Sequence, residues 1–466
     1  MESFYLKELI TAVKGKFLIG DPKLSVKNIS IDSRTVKKGE VFFAIKGENY
    51  DGHNFIGEAV SRGASAIVCS QYDIGLVKPF PSFPAVVKVD DTVIALGDLA
   101  KAYRKRFKDI KIVGITGSNG KTTTKEILSS ILNTQGKTVS NKGNFNNRIG
   151  LPLSILNLTS DVKYGVFELG TSVKGEIKIL SDILCPDIAI ITNIGCSHLE
   201  TFVNPEGVYE EKKALLDAIA GWSFAVVNKD DEYLKNAVAA GGAKIISFAI
   251  ANNADVTAKN ISLRSGGQLF ELHYGKGFVY VNMPSKGKFN VLNALGASAA
   301  ALGLGCSLED VKKGIENFKA PAMRMETIVT KRGVTLINDA YNANPSSVRE
   351  SINAVLEAYP SSEINLVLGD MLELGENSAL YHKELGKFIS DKKIKSVYLA
   401  GEMSFYTKES AGKKVVFYCG KSSDLFAALK KSGANKKSVF LFKGSRGMKL
   451  ENTYKKFFEF LENEEK

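Results

Sequence analysis

The stretch GITGSNGKTTTKEIL, residues 114–128, constrains this 466-residue chain more than any other. It overlaps IKIVGI at 110–115, an apolar run that reads as a buried strand, and it leads into a helical pattern. Glycines at 114, 117 and 120 let backbone N–H groups turn towards an anion, and a helix beginning at Lys121 adds its positive N-terminal end. Strand, glycine loop, Lys-Thr and helix follow one another in the order that phosphate binding needs. Lys121 is placed to reach the β- and γ-phosphates of a nucleotide, and Thr122 to offer a hydroxyl to Mg²⁺. The strict pattern G-x-x-x-x-G-K-[ST] asks for glycine at 115, where this chain has Ile115, so the loop is a spaced-glycine variant. The plainer reading is a tight glycine turn before an ordinary helix.

Such a loop needs an acid for the metal, commonly at the end of an apolar strand. Glu168 stands there, after YGVF; alone, a strand-end glutamate says little. Asp187 precedes its strand and falls at the wrong end of a parallel sheet for a site at the carboxyl edge. His198, in TNIGCSHLETF, follows the strand at 187–193 at the carboxyl edge, but Mg²⁺ prefers oxygen, and by spacing alone it reads as a surface or hydrogen-bonding histidine.

With 44% hydrophobic residues the chain is long enough for about three domains. Residues 1–105 mix short strand-like runs, AIVCS at 66–70 and AVVKVDD at 85–91, with turn clusters such as the Pro-rich KPFPSFP at 78–84. A new domain begins where YRKRFKD at 103–109 gives way to IKIVGI. From 110 to about 320, strands at 164–168, 187–193 and 224–227 and helices at 206–219 and 289–303 predict a mainly parallel sheet with helices on both faces. Residues 254–283 read as an antiparallel insertion. After KAPAMR at 319–324, strands at 333–338, 364–368, 396–400 and 438–442 alternate with helices at 346–358, 378–390, 422–432 and 449–462. The expected fold class is α/β in three domains: a small α/β domain over 1–108, a central parallel-sheet phosphate-loop domain over 109–320 and a Rossmann-like α/β domain over 321–466.

No apolar run approaches the roughly 20 residues that span a bilayer. The start of the chain lacks the unbroken apolar core of a signal peptide. A soluble cytoplasmic protein is therefore expected. Cys69, Cys185, Cys196, Cys306 and Cys419 are scattered without CxxC spacing, which points to buried free thiols. The net charge of +12 is spread without a basic run. It suits anionic ligands better than nucleic acid, or else an ordinary solvated surface.

Three segments, GITGSNGKTT at 114–123, ELGTSVKGEI at 168–177 and TNIGCSHLE at 192–200, resemble the Mur ligases, cytoplasmic enzymes that build the peptide stem of bacterial peptidoglycan. INDAYNANPSSV at 337–348, VLGDMLELGENS at 367–378 and LFKGSRGMKLE at 441–451 resemble the branch of that family that adds D-alanyl-D-alanine. IDSRTVKKGEVFFAIKGENYDGHNFI at 31–56 is similar to the UDP-binding domain that this branch shares with its diamino-acid-adding relative. The resemblance implies an ATP-dependent amide ligase that joins D-alanyl-D-alanine to UDP-N-acetylmuramoyl-tripeptide (UDP-MurNAc-tripeptide) through an acyl phosphate. The product would be UDP-MurNAc-pentapeptide, the cytoplasmic precursor of the cell wall. A monomer with no nucleic-acid or membrane partner is expected. Competing readings are a diamino-acid-adding ligase, a folylpolyglutamate synthetase, a phosphate-loop ATPase switch and a catalytically dead nucleotide-binding protein, and DAYNANP argues against the first two. Diaminopimelate and lysine both stay open as the third stem residue.

Residue by residue, the resemblance implies that Gly114, Thr116, Gly117, Ser118, Asn119, Gly120, Lys121, Thr122 and Thr123 surround the ATP phosphates. Asn290 would lie on the adenine side, and Arg324 and Asp339 would reach ATP from the third domain. Two Mg²⁺ ions are implied, with Thr122, Glu168, His198 and Lys212 as metal ligands and a CO₂-derived carbamate on Lys212. Lys121, Glu168, His198 and Lys212 make up the implied catalytic set. Ser33, Arg34, Lys46 and Gly47 would hold the UDP end, Asn146 and Asn147 would line the central cleft, and Tyr341, Asn342 and Asn344 would shape the dipeptide site. On its own pattern Lys212 reads as a solvated helix lysine beside Glu210 and Glu211, and its neighbour Lys213 makes the carbamate position a matter of register. The chain departs from the family where Phe289 replaces a frequent histidine, and where HLExFGS becomes HLETFVNPEG, with Val203 and Asn204 for Gly and Ser. Because no domain alone holds a complete site, the third domain is expected to swing towards the central one about sparse joints at 103–110 and 319–323.

Overall fold

The computed structural model describes residues 1–71, 84–219, 221 and 223–463, so the Pro-rich stretch at 78–84 lies outside the described residues except for Pro84. Beside a two-stranded antiparallel ribbon of Phe4–Tyr5 and Ser25–Val26, three larger sheets follow one another along the chain. The first contains β1 (Lys16–Ile19), β2 (Ile29–Ser30), β3 (Val41–Phe43), β4 (Ala66–Cys69) and β5 (Ala85–Lys88), in the order β1-β5-β4-β3-β2. Only β1 runs antiparallel to its neighbour. The unbroken apolar runs of β3, β4 and β5 are covered on both faces: Phe43, Val68 and Val87 enter one core while Phe42, Ile67 and Val86 enter another.

The central sheet has nine strands: β6 (Lys111–Thr116), β7 (Thr138–Ser140), β8 (Tyr164–Glu168), β9 (Ile188–Ile191), β10 (Phe224–Asn228), β11 (Lys244–Ala249), β12 (Val256–Arg264), β13 (Gly267–Tyr274) and β14 (Gly277–Met283). Their order is β14-β13-β12-β11-β10-β9-β6-β8-β7. The stretch at 254–283 is antiparallel as expected, yet it is no separate insertion: β12 pairs in parallel with β11, so the hairpins continue the main sheet. Val256, Phe270, Leu272, Val281 and Met283 make this continuation possible, because they join the same core as Ile127 and Leu128 of the helix after the glycine loop.

Helix α1 (Thr92–Arg104) precedes the central sheet; α2 (Lys121–Leu132), α3 (Glu176–Leu184), α4 (Pro205–Asp217) and α5 (Lys288–Gly303) belong to it. The expectation of a sparse joint at 103–110 fails. Tyr103, Phe107 and Ile110 are buried in a core shared by the first two sheets. Arg104, also buried, donates to the Phe107 carbonyl at 2.7 Å and to Asp187 at 3.1 Å. The segment looked charged because Arg104 hides its charge against a partner, while Phe107, in the turn after the helix, folds back so that its ring meets that of Tyr103 at 5.1 Å. Asp187 also accepts from the Ile112 amide at 2.7 Å, a structural task at the far end of the sheet from the loop. The joint at 319–323, by contrast, has no buried residue, and Met323 and Met325 on either side of Arg324 are left-handed, at φ 59° and 55°.

The third sheet contains β15 (Glu326–Val329), β16 (Thr335–Asn338), β17 (Glu363–Gly369), β18 (Ser396–Ala400), β19 (Val415–Cys419) and β20 (Ser438–Lys443), ordered β15-β16-β20-β17-β18-β19 and parallel apart from β15. Helix α6 (Pro345–Ala358) packs on one face through Val348, Ile352 and Val355, and α7 (Leu450–Glu462) on the other through Leu450, Phe457 and Leu461. Leu199, Phe202 and Val208 of the central unit enter the first of these cores. Among the cysteines, Cys69 and Cys306 are buried as expected, whereas Cys185, Cys196 and Cys419 are only half-buried.

Helix α4 starts from an Asn204 cap, whose side chain accepts from the Gly207 amide at 2.9 Å, so asparagine does the work of the family serine. Val203 stands at φ 69°, which explains the family glycine there, since a β-branched residue is strained at positive φ. Val203 is 73% exposed and packs little. Val203→Gly should therefore stabilise the central unit by about 1 kcal/mol, seen as a higher midpoint in denaturant unfolding; a lowered midpoint would show that the strain is not there.

Candidate active site

β6 delivers its chain into the glycine loop, where two glycines are irreplaceable for close approach. At Gly117, φ 151°, a Cβ would stand 1.9 Å from the Thr192 hydroxyl, and at Gly120, φ 80°, 2.1 Å from the Asn293 amide oxygen. Helix α2 then begins at Lys121. Gly114 and Thr116 do not reach the cleft: Gly114 lies within β6 against Leu215, and buried Thr116 donates to the Leu169 carbonyl at 3.0 Å.

Thr122 donates to one oxygen of Glu168 at 2.7 Å, and Asn146 donates to the other at 2.8 Å. The backbone of Glu168 is fixed in turn by Asn141, a residue the sequence reading passed over: its side chain accepts from the Glu168 amide and donates to the Glu168 carbonyl, each at 2.9 Å. Arg324, from the linker to the third sheet, donates to Thr122 at 2.9 Å and stacks on Tyr341 at 4.3 Å. Asn119 of the glycine loop exchanges side-chain bonds with Asn344, and donates to Ser346 at 3.0 Å. Asn344 also caps α6, accepting from the Ser347 amide at 2.9 Å. Glycine loop and third domain thus meet through side chains.

Between them lies a cleft of about 350 Å³. Ser118, Asn119, Gly120, Lys121, Thr123, Asn146, Asn147 and Glu168 line it from the central unit, with His198, Phe289 and Asn290; Arg324, Asp339, Tyr341, Asn342 and Asn344 line it from the other side. Asn147 also accepts from the Gly150 amide at 2.8 Å. Asn290 is held by bonds of 2.8 Å to Ser285 and to the Lys286 carbonyl. His198 points Nδ1 at Glu373 of the third domain, 2.6 Å away, and that bond holds the Glu373 carboxyl below its usual range. Such a partner fixes the ring and leaves Nε2 as its second donor or ligand atom.

Ser33, Arg34, Lys46 and Gly47 are not brought to this cleft. Ser33 donates to Glu58 at 2.7 Å, Arg34 forks onto Asp32 at 2.9 and 2.7 Å, the Lys46 backbone forms an isolated β-bridge with that of Asp51, and the Gly47 amide donates to the Tyr50 carbonyl. Several cleft residues escaped the sequence reading, Lys443 and Glu350 among them. Lys443, buried at the end of β20, donates to Asp339 at 2.7 Å and to the Asn342 carbonyl at 3.1 Å; a lysine closing the apolar run SVFLF was the signal. Glu350 faces the cleft from α6, and crowding by its walls pushes the carboxyl up although the residue keeps solvent access.

Lys212 is the largest departure from its pattern. It is 2% exposed, whereas Lys213 keeps solvent access and pairs with Asp217. Burial first, and then the charge of nearby Lys121, bring the Lys212 amine from 10.5 down to about 7. Burial also lowers Lys121, opposed by Glu168 and reinforced by Arg324. Lys121 donates to the Gly117 carbonyl at 2.8 Å. Among the described residues no cluster of three His, Cys, Asp or Glu forms a ready-made metal cage. The Thr122 hydroxyl against the Glu168 carboxylate is a pair of hard oxygens, and it fits Mg²⁺, which takes one or two protein oxygens and completes its shell with phosphate and water.

Three family models match the chain: "Mur ligase family, catalytic domain" over residues 25–108, "Mur ligase middle domain" over 115–301, and "Mur ligase, glutamate ligase domain" over 323–446. The chain is 37% identical to the UDP-N-acetylmuramoyl-tripeptide–D-alanyl-D-alanine ligase of Bacillus subtilis, over 97% of this chain and 98% of that one. Its fold is similar to that of MurF from Acinetobacter baumannii, with a TM-score of 0.90, 32% identity and 98% and 99% of the two chains covered. It is also similar to the MurF ligase from Thermotoga maritima in complex with ADP, with a TM-score of 0.83, 30% identity and 94% and 98% covered.

The buried amine has a consequence for stability. With a folded value of about 7 against 10.5 when unfolded, Lys212 binds a proton more weakly in the folded chain, so its contribution rises as pH climbs above 7 and is lost as pH falls through 7. In CO₂-free buffer with a chelator, the wild-type protein should gain about 2 kcal/mol on Lys212→Met between pH 7 and 9. Paired denaturant titrations at the two pH values measure this, and parallel stabilities would mean that Lys212 titrates normally.

Proposed function

Since the chain belongs to the Mur ligase family, we infer that it joins D-alanyl-D-alanine to UDP-MurNAc-tripeptide at the expense of ATP, forming the C–N bond of UDP-MurNAc-pentapeptide for peptidoglycan synthesis. The observation that carries the reading is the bonding of Asn119 to Asn344, because it brings the phosphate loop and the third-domain segment DAYNANP to one cleft. The division of labour proposed is 1–108 for the UDP substrate, 109–320 for ATP, and 321–466 for ATP and the dipeptide. With its residues tied up locally and away from the cleft, the first unit suits the nucleotide end of a long substrate whose peptide end reaches the phosphate loop. No helix among the described residues is long and apolar enough to cross a membrane, in keeping with a cytoplasmic enzyme; we take it to act as a monomer.

A carboxylate and an amine do not condense in water, so the carboxylate has to become electrophilic. The γ-phosphoryl group of ATP passes to the terminal carboxylate of the tripeptide, giving an acyl phosphate and ADP. The amine of D-alanyl-D-alanine attacks the acyl carbon, and the tetrahedral intermediate expels phosphate. Lys121 and the loop amides hold the phosphoryl oxygens and neutralise charge that builds on them. Ser118, Asn119 and Thr123 frame the phosphates, while Arg324 and Asp339 complete the nucleotide site from the third domain. Asn290 and Phe289 face the base. Tyr341, Asn342 and Asn344 position the amine, and alignment supplies much of the acceleration. Thr122 and Glu168 would hold one Mg²⁺, and Glu168, His198 and a carbamate on Lys212 a second; such ions screen the like charges of phosphate and acceptor carboxylate. A carbamate needs a neutral amine, and Lys212 offers one near neutral pH where an exposed lysine does not.

ADP release should require UDP-MurNAc-tripeptide and D-alanyl-D-alanine together. A switch ATPase would release ADP without them, and a diamino-acid-adding ligase would turn over with diaminopimelate or lysine and the shorter UDP-MurNAc-dipeptide. Lys212→Ala should lose activity by about 100-fold or more and regain part of it with added formate or acetate, while Lys213→Ala stays close to wild type. The opposite pattern would shift the carbamate by one residue.

A further inference from the structure

We propose that Arg446 receives the terminal carboxylate of the incoming dipeptide, in the crevice between the ends of β16 and β20. The proposal rests on the ligase reading above and starts from topology. β16 and β20 are adjacent and parallel, yet β16 leads into α6 on one face of the sheet and β20 into α7 on the other. In open α/β sheets, ligands bind beyond the carboxyl ends of strands whose connections part in this way.

The crevice is already organised. Ser445 donates to the Ala343 carbonyl at 3.2 Å and accepts from the Leu372 amide at 2.8 Å, so it ties three strand-end loops together. A dipeptide also brings a carboxylate that must be matched by a cation, and the cations nearby are unequal. Lys443 is spent on Asp339 and the Asn342 carbonyl. Arg324 is engaged with Thr122 and Tyr341. Arg446 keeps 57% of its side chain exposed, and among the described residues its polar contacts, to Glu451 at 3.3 Å and to the Met323 sulfur at 3.4 Å, both use one terminal nitrogen. The remaining two nitrogens form a fork of the kind that binds carboxylate through two parallel hydrogen bonds.

Position agrees with chemistry. The Tyr341 ring lies 4.3 Å from the Arg324 guanidinium, which touches the phosphate loop, and 6.0 Å from that of Arg446. A dipeptide spans about 7 Å. Anchored by its carboxylate at Arg446, it can lie along Tyr341 with its amine towards the acyl phosphate.

The test compares D-alanyl-D-alanine with its C-terminal amide in steady-state ADP release by the wild type, Arg446→Gln and Arg446→Lys. The wild type should prefer the acid over the amide by about 10–100-fold in kcat/KM, the range of a hydrogen bond to a charged group. Arg446→Gln should raise the dipeptide KM by a similar factor and abolish that preference, with KM for ATP and UDP-MurNAc-tripeptide within about twofold of wild type. Arg446→Lys should restore part of the preference. A preference retained in Arg446→Gln, or a wild type indifferent to the amide, would overturn the assignment while leaving the ligase reading intact. A wild type that releases no ADP with D-alanyl-D-alanine would instead overturn the ligase reading itself.

Discussion

A hydrogen bond of 2.7 Å between Thr122 and Glu168 holds the site together. It joins the first turn of α2 to the end of β8, so the phosphate loop and the acid of the neighbouring strand cannot drift apart. Arg324 adds a third member to the same hydroxyl, and through it the linker and the third domain are referred to the phosphate loop. Every other polar contact across the cleft, from Asn119 to Asn344 and from His198 to Glu373, builds on a spacing that this group of three residues sets.

The electrostatics around the phosphate loop follow from how closely its cations approach one another. Lys121 lies near Lys212, Arg324 and Glu168, and burial of the two lysines limits screening by water. Proteins tolerate such crowding where an anion belongs, because the like charges that lower one another's proton affinity also favour phosphate. The site therefore carries its specificity for anionic substrates in the unfavourable proximity of its own lysines.

The phosphate loop, the central parallel strands and the helices at 206–219 and 289–303 were legible because their signals are local: unbroken apolar runs, glycines before a lysine, and 3.6-residue periodicity. Edge strands such as β7 and β19 were not, since short segments paired on an edge lack a pattern of their own. Lys212 could not be read from its neighbours, because Glu210 and Glu211 announce a solvated helix while the sheet above buries the face that carries the lysine. Arg104 misled in the same way, its charge being answered by Asp187, 83 residues further along the chain. Lys443 and Asn141 act through partners that only the tertiary fold supplies.

The linker around Arg324 bears on how the two halves move. Met323 and Met325 both sit in the left-handed region, where an unbranched side chain still costs about 1–2 kcal/mol. Two such residues on either side of the arginine that touches the phosphate loop make the segment a wound spring. A turn of the third domain that carried either residue out of that region would release the cost it holds. Met325 also lines the cleft, whereas Met323 does not, so the cost stored at Met323 is a point at which the segment can be retuned with the groups of the cleft left as they are.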